Sequence, residues 1–595
     1  MFPSVPHLLF STISKYPDNI ALSWHHEGEL KNLSYHEFGE RIIDLTNGLA
    51  SLGLQANDKI AILSNNRVEW TISDFAALSL GCVVVPIYQT LPPNQIAYLL
   101  HDSESRAIFV EDNEQFKKLS EIRNQLPHLE FIFSYDTIQA ADSKVRPYSE
   151  IMRSGRQHRK AQPNFYQQAI ENIKEENICS IVYTSGTTGE PKGVMLHHKG
   201  FVWDIINSEA TLNLAPEDVF LSFLPLSHLY ERLAGHWCPM YRGSHIHYAR
   251  SINTVIEDIQ IAKPTVVTSV PRVFEKIAAR VLEKVEHGSF IKQKLFFWAL
   301  KTGRKYFNQS IEGTVTRQLQ SKYNLAEKLV FQKIREILGG RLRYPIAGGA
   351  PLSIETLKFF EALGARIIEG YGMTECHLII TLTPYGKTRY GSCGTAIGGV
   401  ELRISPSGEI LVKGPTVMAG YYNNPEKTRE IIDEEGWLHT GDIGHLDQDG
   451  YLFITDRIKN IIVTSGGKNI SSAPIENRLK SSRYVDEICL VGNQRKFVSA
   501  LIVPNFEALQ SWSKQHNLGT QDNMELVRHP KVLEFLNNEM EILQMDLARY
   551  EKVKKFILLP EPFSIEKDEL TPSLKVKRRV VENRYKEQID ALYQD

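Results

Sequence analysis

No two of the six cysteines (Cys82, Cys179, Cys238, Cys376, Cys393 and Cys489) stand close enough to form a Cys-x-x-Cys pair. That excludes a readable zinc or thioredoxin-type redox motif, and scattered single thiols suit a reducing compartment better than a disulfide framework. A long hydrophobic run is also missing. The most apolar stretch, Phe75 to Ile87, is too short to cross a bilayer and breaks around Pro86. Met1 to Asn19 lacks the basic n-region and small-residue cleavage site of a secretory signal. The expectation is a cytoplasmic protein, at most peripheral to a membrane. Charge of one sign is not in excess either: 68 Lys and Arg face 70 Asp and Glu, for a net charge of -2. That balance argues against a nucleic-acid partner, which normally demands a basic surplus. No repeat of fixed period occurs, so solenoids and propellers are disfavoured.

What remains is a chain of 595 residues, 42% hydrophobic and 23% charged, long enough to bury several cores. Short β-branched runs recur between helical patterns: Lys59–Leu63, Val83–Ile87, Ile178–Tyr183, Val266–Val270, Ile367–Glu369 and Ile410–Val412. Apolar runs of that length alternating with helices predict an α/β fold with largely parallel, buried sheets. Two places depart from this texture. From Pro271 to Gly340 the sequence is charged and helical, with Val273, Phe274, Ile277, Val281 and Val285 on one stripe. After Asp456–Arg457 come a strand at Ile461–Thr464, a Gly466–Gly467 pair, strands near Ile488–Val491 and Val498–Val503, and a helix around Val532–Ala548. A boundary near residue 457 therefore predicts a small α+β C-terminal domain.

The most informative segment is Tyr183-Thr-Ser-Gly-Thr-Thr-Gly-Glu-Pro-Lys-Gly193, directly after an apolar strand. Small hydroxyl residues between glycines leave backbone N–H groups free to surround a phosphate, and Lys192 adds a mobile cation. It is not a Walker loop, because Pro191 precedes the lysine and Gly193 follows it. A plain surface turn would need fewer glycines.

That segment resembles the phosphate loop of the adenylate-forming (AMP-binding) enzymes, the superfamily of acyl-CoA synthetases, peptide-synthetase adenylation domains and luciferases. Seven further blocks follow in the family's order: Leu224-Pro-Leu-Ser-His228, Gly348-Gly-Ala-Pro351, Gly370-Tyr-Gly-Met-Thr-Glu375, Gly436-Trp-Leu-His-Thr-Gly-Asp442, Asp456-Arg-Ile-Lys459, Ser465-Gly-Gly-Lys468 and Thr571-Pro-Ser-Leu-Lys575. The resemblance spans nearly the whole chain. Within the family, the Leu224–Arg232 stretch, the Leu-Thr-Pro-Ser-Leu-Lys tail and the helical insertion are most similar to long-chain fatty-acid–CoA ligases. It implies a large N-terminal domain of packed mixed sheets and helices (1–456) plus a small mobile C-terminal domain (457–595), with ATP, Mg²⁺ and coenzyme A as partners of a fatty acid. Passing the acyl group to a carrier-protein thiol, or acting on medium-chain acids, are the alternatives.

The resemblance also implies roles. Thr184, Ser185, Gly186, Thr187, Thr188 and Gly189 would cradle phosphates beside Lys192, while Glu375 and Thr184 would hold Mg²⁺. Gly349, Ala350, Pro351, Glu369, Gly370, Tyr371, Gly372 and Thr374 would surround the nucleotide base, with Tyr371 on the adenine. Asp442 would accept from the ribose hydroxyls, Arg457 would approach the nucleotide, and His228 would line the carboxylate site. Lys575, rather than the neighbouring Lys577, aligns with the family's catalytic lysine. Lys459 matches the hinge of a domain rotation that brings Ser465, Gly466, Gly467 and Lys468 to the pantetheine arm of coenzyme A. Finally, residues 290–305 mix five cations with Phe296, Phe297 and Trp298 and hold no acid. Such a stretch suits an interfacial membrane contact, or more plainly a helix with a buried stripe and solvated lysines.

Overall fold

The β-branched runs pair into two large sheets in the computed structural model of the chain, which describes residues 2–138, 144–184, 190–571 and 575–594. The first sheet has eight strands, in the order Gly420–Tyr421, Lys192–His197, Ile178–Thr184, Val83–Ile87, Lys59–Leu63, Ala107–Val110, Phe131–Ser134 and Val145–Pro147. From Ile178–Thr184 outward through Val145–Pro147 every pairing is parallel. Val83–Ile87 and Ala107–Val110 are buried at every position, because helices cover both faces and leave no place for polar alternation.

The second sheet has nine strands, in the order Thr395–Ala396, Thr381–Leu382, Ile368–Tyr371, Tyr344–Ala347, Val266–Ser269, Val219–Ser222, His245–Tyr248, Ile20–His26 and Glu29–Ser34. Its central pairings are parallel too. The apolar stretch Phe220–Leu226 is strand only to Ser222. Pro225 has no N–H to continue a ladder, and the chain turns there. Asn66, from the loop after a strand of the first sheet, donates to Leu224 O at 2.6 Å and accepts from Leu226 N–H at 2.8 Å. That pin holds the turn carrying His228 against the first sheet.

A third sheet departs from the expectation of largely parallel pairing. Glu401–Ile404, Glu409–Lys413, Leu438–Leu446 and Leu452–Arg457 pair antiparallel throughout. In Leu438–Leu446 buried residues alternate with partly exposed ones, so the segment has no continuous apolar run to betray it.

The predicted insertion is helical: Pro271–Glu286, Phe290–Ile311, Arg317–Ala326 and Gln332–Ile337. Helix Phe290–Ile311 packs on helix Ile354–Ala362 at Gly303, where a Cβ would stand 2.4 Å from the Ala362 carbonyl. Phe296, Ala299, Leu300 and Phe307 are buried in that seam. The opposite side keeps Phe290, Ile291 and Phe297 exposed (68, 78 and 50%) beside the exposed Lys294, Lys301 and Lys305. Among the described residues no helix is long and apolar enough to cross a membrane.

Beyond Arg457 the chain builds a separate core. Strands Val485–Val491 and Ser499–Pro504 pair antiparallel, and Lys555–Leu558 adds a parallel third. Helices Ser472–Leu479, Phe506–Gln515 and Pro530–Leu543 cover one face through Leu479, Leu509, Val532 and Leu536. The helix expected at Val532–Ala548 begins two residues earlier and ends at Leu543.

Candidate functional site

The predicted site residues lie on strand ends and tight loops where the three sheets meet the C-terminal domain, the side of an open α/β sheet where ligands usually bind. Thr184 ends strand Ile178–Thr184, and Lys192 opens the next; the two are direct cross-strand partners. Side chains so paired share one face of the sheet. Ser185 to Gly189, which fall between them in sequence, lie outside the described residues. The Lys192 ammonium stands over the Tyr421 ring at 4.8 Å. Burial and the nearby cations Lys459 and Lys427 lower its pKa, partly countered by Glu430 and Glu375.

Strand Ile368–Tyr371 carries the next group. Tyr371 donates its phenol O–H to Asp442 Oδ2 at 2.7 Å. The flanking glycines meet protein. A Cβ on Gly370 would lie 2.9 Å from Leu382 Cδ2, and one on Gly372 would lie 1.3 Å from the Leu378 carbonyl oxygen. Glu369 is enclosed, and burial reinforced by Glu361 raises its carboxyl to about 8. Thr374 and Glu375 sit on a 3-10 turn, and Glu375 Oε1 accepts from the Tyr421 O–H at 2.9 Å. Directly afterwards His377 and Leu378 adopt φ of 55° and 137°, a left-handed course that non-glycine residues take only when packing enforces it. The enforcing contact is the buried His377 ring, held by Thr416 O at 2.7 Å and packed at a tilt against the His197 ring, centroids 4.5 Å apart. Gly349, with φ +82°, and the exposed Ala350 and Pro351 follow the end of strand Tyr344–Ala347.

Asp442 and Arg457 face each other across strands Leu438–Leu446 and Leu452–Arg457. The Arg457 Nε–H reaches Asp442 Oδ1 at 2.6 Å, so both oxygens of this buried carboxylate are engaged. His228 stands at the turn before a π-helix, Glu231–Trp237. Its Nδ1 accepts the Tyr230 backbone N–H at 3.0 Å, which leaves the ring proton on Nε2. Burial, with Lys575 nearby, pushes its pKa down to about 4, so the ring is neutral at ordinary pH.

Lys575 comes from the other domain. Its backbone N–H donates to Thr571 Oγ1 at 3.0 Å, its carbonyl accepts from Thr571 N–H at 2.8 Å, and a bridge between Leu570 and Val576 closes the loop. The residue is exposed at the surface, with protein packed around it. That enclosure and Arg457 lower its pKa, while Asp442 opposes the shift. Lys575 lies within electrostatic reach of His228, Arg457 and Asp442. Lys577 instead pairs with Asp568 at 2.5 Å within its own domain. Lys459 lies on the 3-10 turn Ile458–Asn460 with its charge toward Lys192. Ser465, Gly466, Gly467 and Lys468 form an exposed turn between strands Ile461–Val463 and Asn469–Ser471; they are not part of the cluster. The turn is held by Gly467 N–H to Thr464 O at 2.9 Å.

Two participants were not foreseen. Tyr421 joins Lys192 to Glu375, and His377 imposes the left-handed bend after Glu375. The Gly420-Tyr421 pair is a faint signal at best, since Gly420 with φ +139° only reveals its strained bend in three dimensions.

Comparison with known proteins agrees with this geometry. Residues 9–422 match the description "AMP-binding enzyme" and residues 459–595 match "AMP-binding enzyme C-terminal domain". The long-chain-fatty-acid–CoA ligase FadD15 of Mycobacterium tuberculosis is 32% identical over 99% of this chain and 97% of its own length. The long-chain-fatty-acid–CoA ligase ACSBG1 of Homo sapiens is 32% identical over 100% and 85%. Among solved structures, the anthranilate CoA ligase AuaEII in complex with anthranoyl-AMP superposes with a TM-score of 0.75, covering 99% of this chain and 98% of that one at 19% identity. With the two matches covering both domains, the chain belongs to the AMP-binding enzyme family.

Proposed function

We propose that the protein activates a long-chain fatty acid with ATP and transfers the acyl group to coenzyme A. The observation that carries this reading is the convergence of Lys575 with His228, Arg457 and Asp442, three residues of the large domain or its edge. A carboxylate attacking the α-phosphorus brings two anions together, so cations fixed beforehand where the charge grows contribute most to the rate. In the first step a carboxylate oxygen bonds to the α-phosphorus and pyrophosphate leaves. Lys575 and Arg457 supply positive charge at that point, Lys192 faces the departing phosphates, and the neutral His228 offers its Nε2–H to the acid. In the second step the thiolate sulfur bonds to the carbonyl carbon, AMP leaves, and the thiol proton passes to solvent.

Tyr371 supplies the aromatic plane for adenine and Asp442 the acceptors for ribose, exchanging its present partners for nucleotide hydroxyls. The donor set fits magnesium: Glu375 with its second carboxylate oxygen and the Thr184 hydroxyl are hard oxygen ligands, and phosphates complete such a shell. The ion, when bound, offsets phosphate charge. The mobile unit begins at 457, with Lys459 as hinge, and its rotation carries Lys575 out and the exposed Ser465–Lys468 turn toward the pantetheine arm. Long-chain acids are favoured because relatives of that name align over the whole chain at 32% identity.

The test is pyrophosphate release over a graded series of fatty acids, with and without coenzyme A. Release with long acids alone, and acyl-CoA plus AMP once coenzyme A is added, is expected. No release with any acid would end the proposal; an acyl-adenylate that forms but ignores coenzyme A would point to a carrier-protein acceptor.

The face of helix Phe290–Ile311 that bears Phe290, Ile291 and Phe297 beside Lys294, Lys301 and Lys305 suits the surface of an anionic bilayer, where apolar rings enter and ammonium groups meet headgroups. Flotation with anionic vesicles should drop on changing Lys294, Lys301 and Lys305 to Glu. Unchanged flotation would leave the lysines as ordinary solvated groups.

A further inference from the structure

The helical insertion has no part in the site, yet its first helix touches the other domain. The Arg272 guanidinium donates to Asp486 Oδ1 at 2.7 Å and pairs with Glu487, both on strand Val485–Val491 of the C-terminal domain. Glu275, one turn on, lies in electrostatic reach of Lys480. Near the end of the same helix Glu286 accepts from Arg483 at 3.3 Å. Positions 272, 275 and 286 fall within a narrow sector of a helix with 3.6 residues per turn. The opposite side buries Phe274, Ala278 and Val281. One face of this helix therefore carries a plus-minus-minus pattern that meets complementary groups: Asp486 and Glu487, then Lys480, then Arg483.

From this we infer that helix Pro271–Glu286 is an electrostatic latch, with Arg272 a positioning residue that holds the C-terminal domain in the orientation that presents Lys575 to the acid and the α-phosphate. The inference rests on the proposed adenylation chemistry. Breaking the latch has a directional consequence: the ratio of the adenylating orientation to any orientation lacking these pairs falls. Adenylation then falls while thioester formation from a ready-made adenylate holds or rises. Glu487 is also bound by Lys480 at 2.7 Å, so it is already fixed for Arg272 before the domains meet. The pairs are partly exposed, which makes each weak; several on one helix act together, and salt weakens them.

The experiment compares wild type, Arg272→Glu, Arg272→Lys, and Arg272→Glu combined with Asp486→Arg and Glu487→Arg. Arg272 is partly exposed, so none of these changes opens a cavity. Without substrates, trypsin cleavage at the exposed Arg457–Lys459 linker reads the population of opened molecules. With about one molecule in ten open at the outset, Arg272→Glu should be cut about fivefold faster, Arg272→Lys at close to the wild-type rate, and the charge-reversed combination should return toward wild type. In parallel, a tenfold shift from one open molecule in ten leaves about half closed, so ATP–pyrophosphate exchange should fall about twofold in Arg272→Glu, with thioester formation from synthetic acyl-adenylate unchanged or faster. Cleavage of Arg272→Glu at the wild-type rate overturns the latch whatever the activity. Faster cleavage with unchanged exchange, or equal loss in both half-reactions, overturns the positioning role. Wild-type protein that cleaves as expected but never exchanges pyrophosphate would instead sink the adenylation reading and leave the latch standing.

Discussion

Asp442 and Arg457 are partners twice over: they oppose each other in strand register, and the guanidinium Nε–H meets the carboxylate at 2.6 Å. Arg457 is also the last residue of its strand, so one ion pair anchors both a nucleotide contact and the start of the linker. Asp442→Ala removes the acceptor of two groups, the Tyr371 phenol and the guanidinium. Hydrogen bonds to a charged partner contribute about 1.5–3 kcal/mol each. AMP affinity, measured by calorimetry, should fall at least about tenfold; affinity equal to wild type would remove Asp442 from the nucleotide site.

Two neighbouring lysines are separated by the fold alone. Lys575→Ala should lower ATP–pyrophosphate exchange by on the order of a hundredfold, the effect of losing a transition-state cation worth about 3 kcal/mol. Lys577→Ala breaks only the pair with Asp568, so exchange should stay within about twofold of wild type, as for a surface pair. The reverse ranking would transfer the catalytic assignment to Lys577.

The glycine turn offers a cleaner probe than its pattern suggests. Gly467 has φ +73°, so any side chain there strains the backbone, whereas Gly466 has an ordinary φ and open space within 4 Å. Gly466→Leu should therefore leave stability and pyrophosphate exchange intact but slow thioester formation at least tenfold, on the order of 1.4 kcal/mol. If both half-reactions run at the wild-type rate, the coenzyme A arm passes elsewhere.

Stability should peak on the acid side of neutrality. Burial lowers His228, His245 and His247 from 6.5 to about 4, and His198, His236 and His377 to about 3. Below pH 6.5 the unfolded chain takes up protons that the native one refuses, so stability falls as the pH drops toward 4, by about 1.4 kcal/mol per unit for each such group. Glu231, Glu361 and Glu369 carry the opposite sign, raised by burial from 4.5 to about 8, 7 and 8. Their protonated forms belong to the fold, so stability is lost as pH rises through that range. Above pH 6.5 these histidines are neutral in both states and the raised carboxyls, to which the buried Asp74 and Asp204 also belong, alone set the slope, which places the maximum at or below pH 6.5. Denaturant midpoints across pH should show that maximum, and Glu369→Gln should flatten the alkaline side. A midpoint still rising from pH 6.5 to 8 would contradict the buried, protonated carboxyls.

Much of this was legible in the order of residues. Continuous apolar runs marked the parallel strands because burial on both faces leaves no room for polar side chains, and Val83–Ile87 is a strand over the full predicted range. The phosphate-loop segment, the Asp442 and Glu375 blocks and the Lys575 tail are local signatures, so a linear reading finds them. Of the antiparallel third sheet Ile410–Val412 was visible as the buried middle of Glu409–Lys413, whereas Leu438–Leu446 alternates buried and partly exposed residues and offers no apolar run. Tyr421 and His377 gave no sign, since their roles lie in contacts with residues far along the chain: Glu375 for one, His197 and Thr416 for the other.

The amino-acid order by itself determined which side chains could do the chemistry and the α/β class that holds them, because strand burial and motif chemistry are written in neighbouring residues. Only the tertiary structure decided that Lys575 lies in electrostatic reach of His228, Arg457 and Asp442 while Lys577 pairs with Asp568, that Asp442 is already engaged by Tyr371 and Arg457, and that the insertion grips the C-terminal domain through Arg272. Those facts depend on charges brought together across hundreds of residues, and distance in space, unlike sequence spacing, sets Coulomb energy.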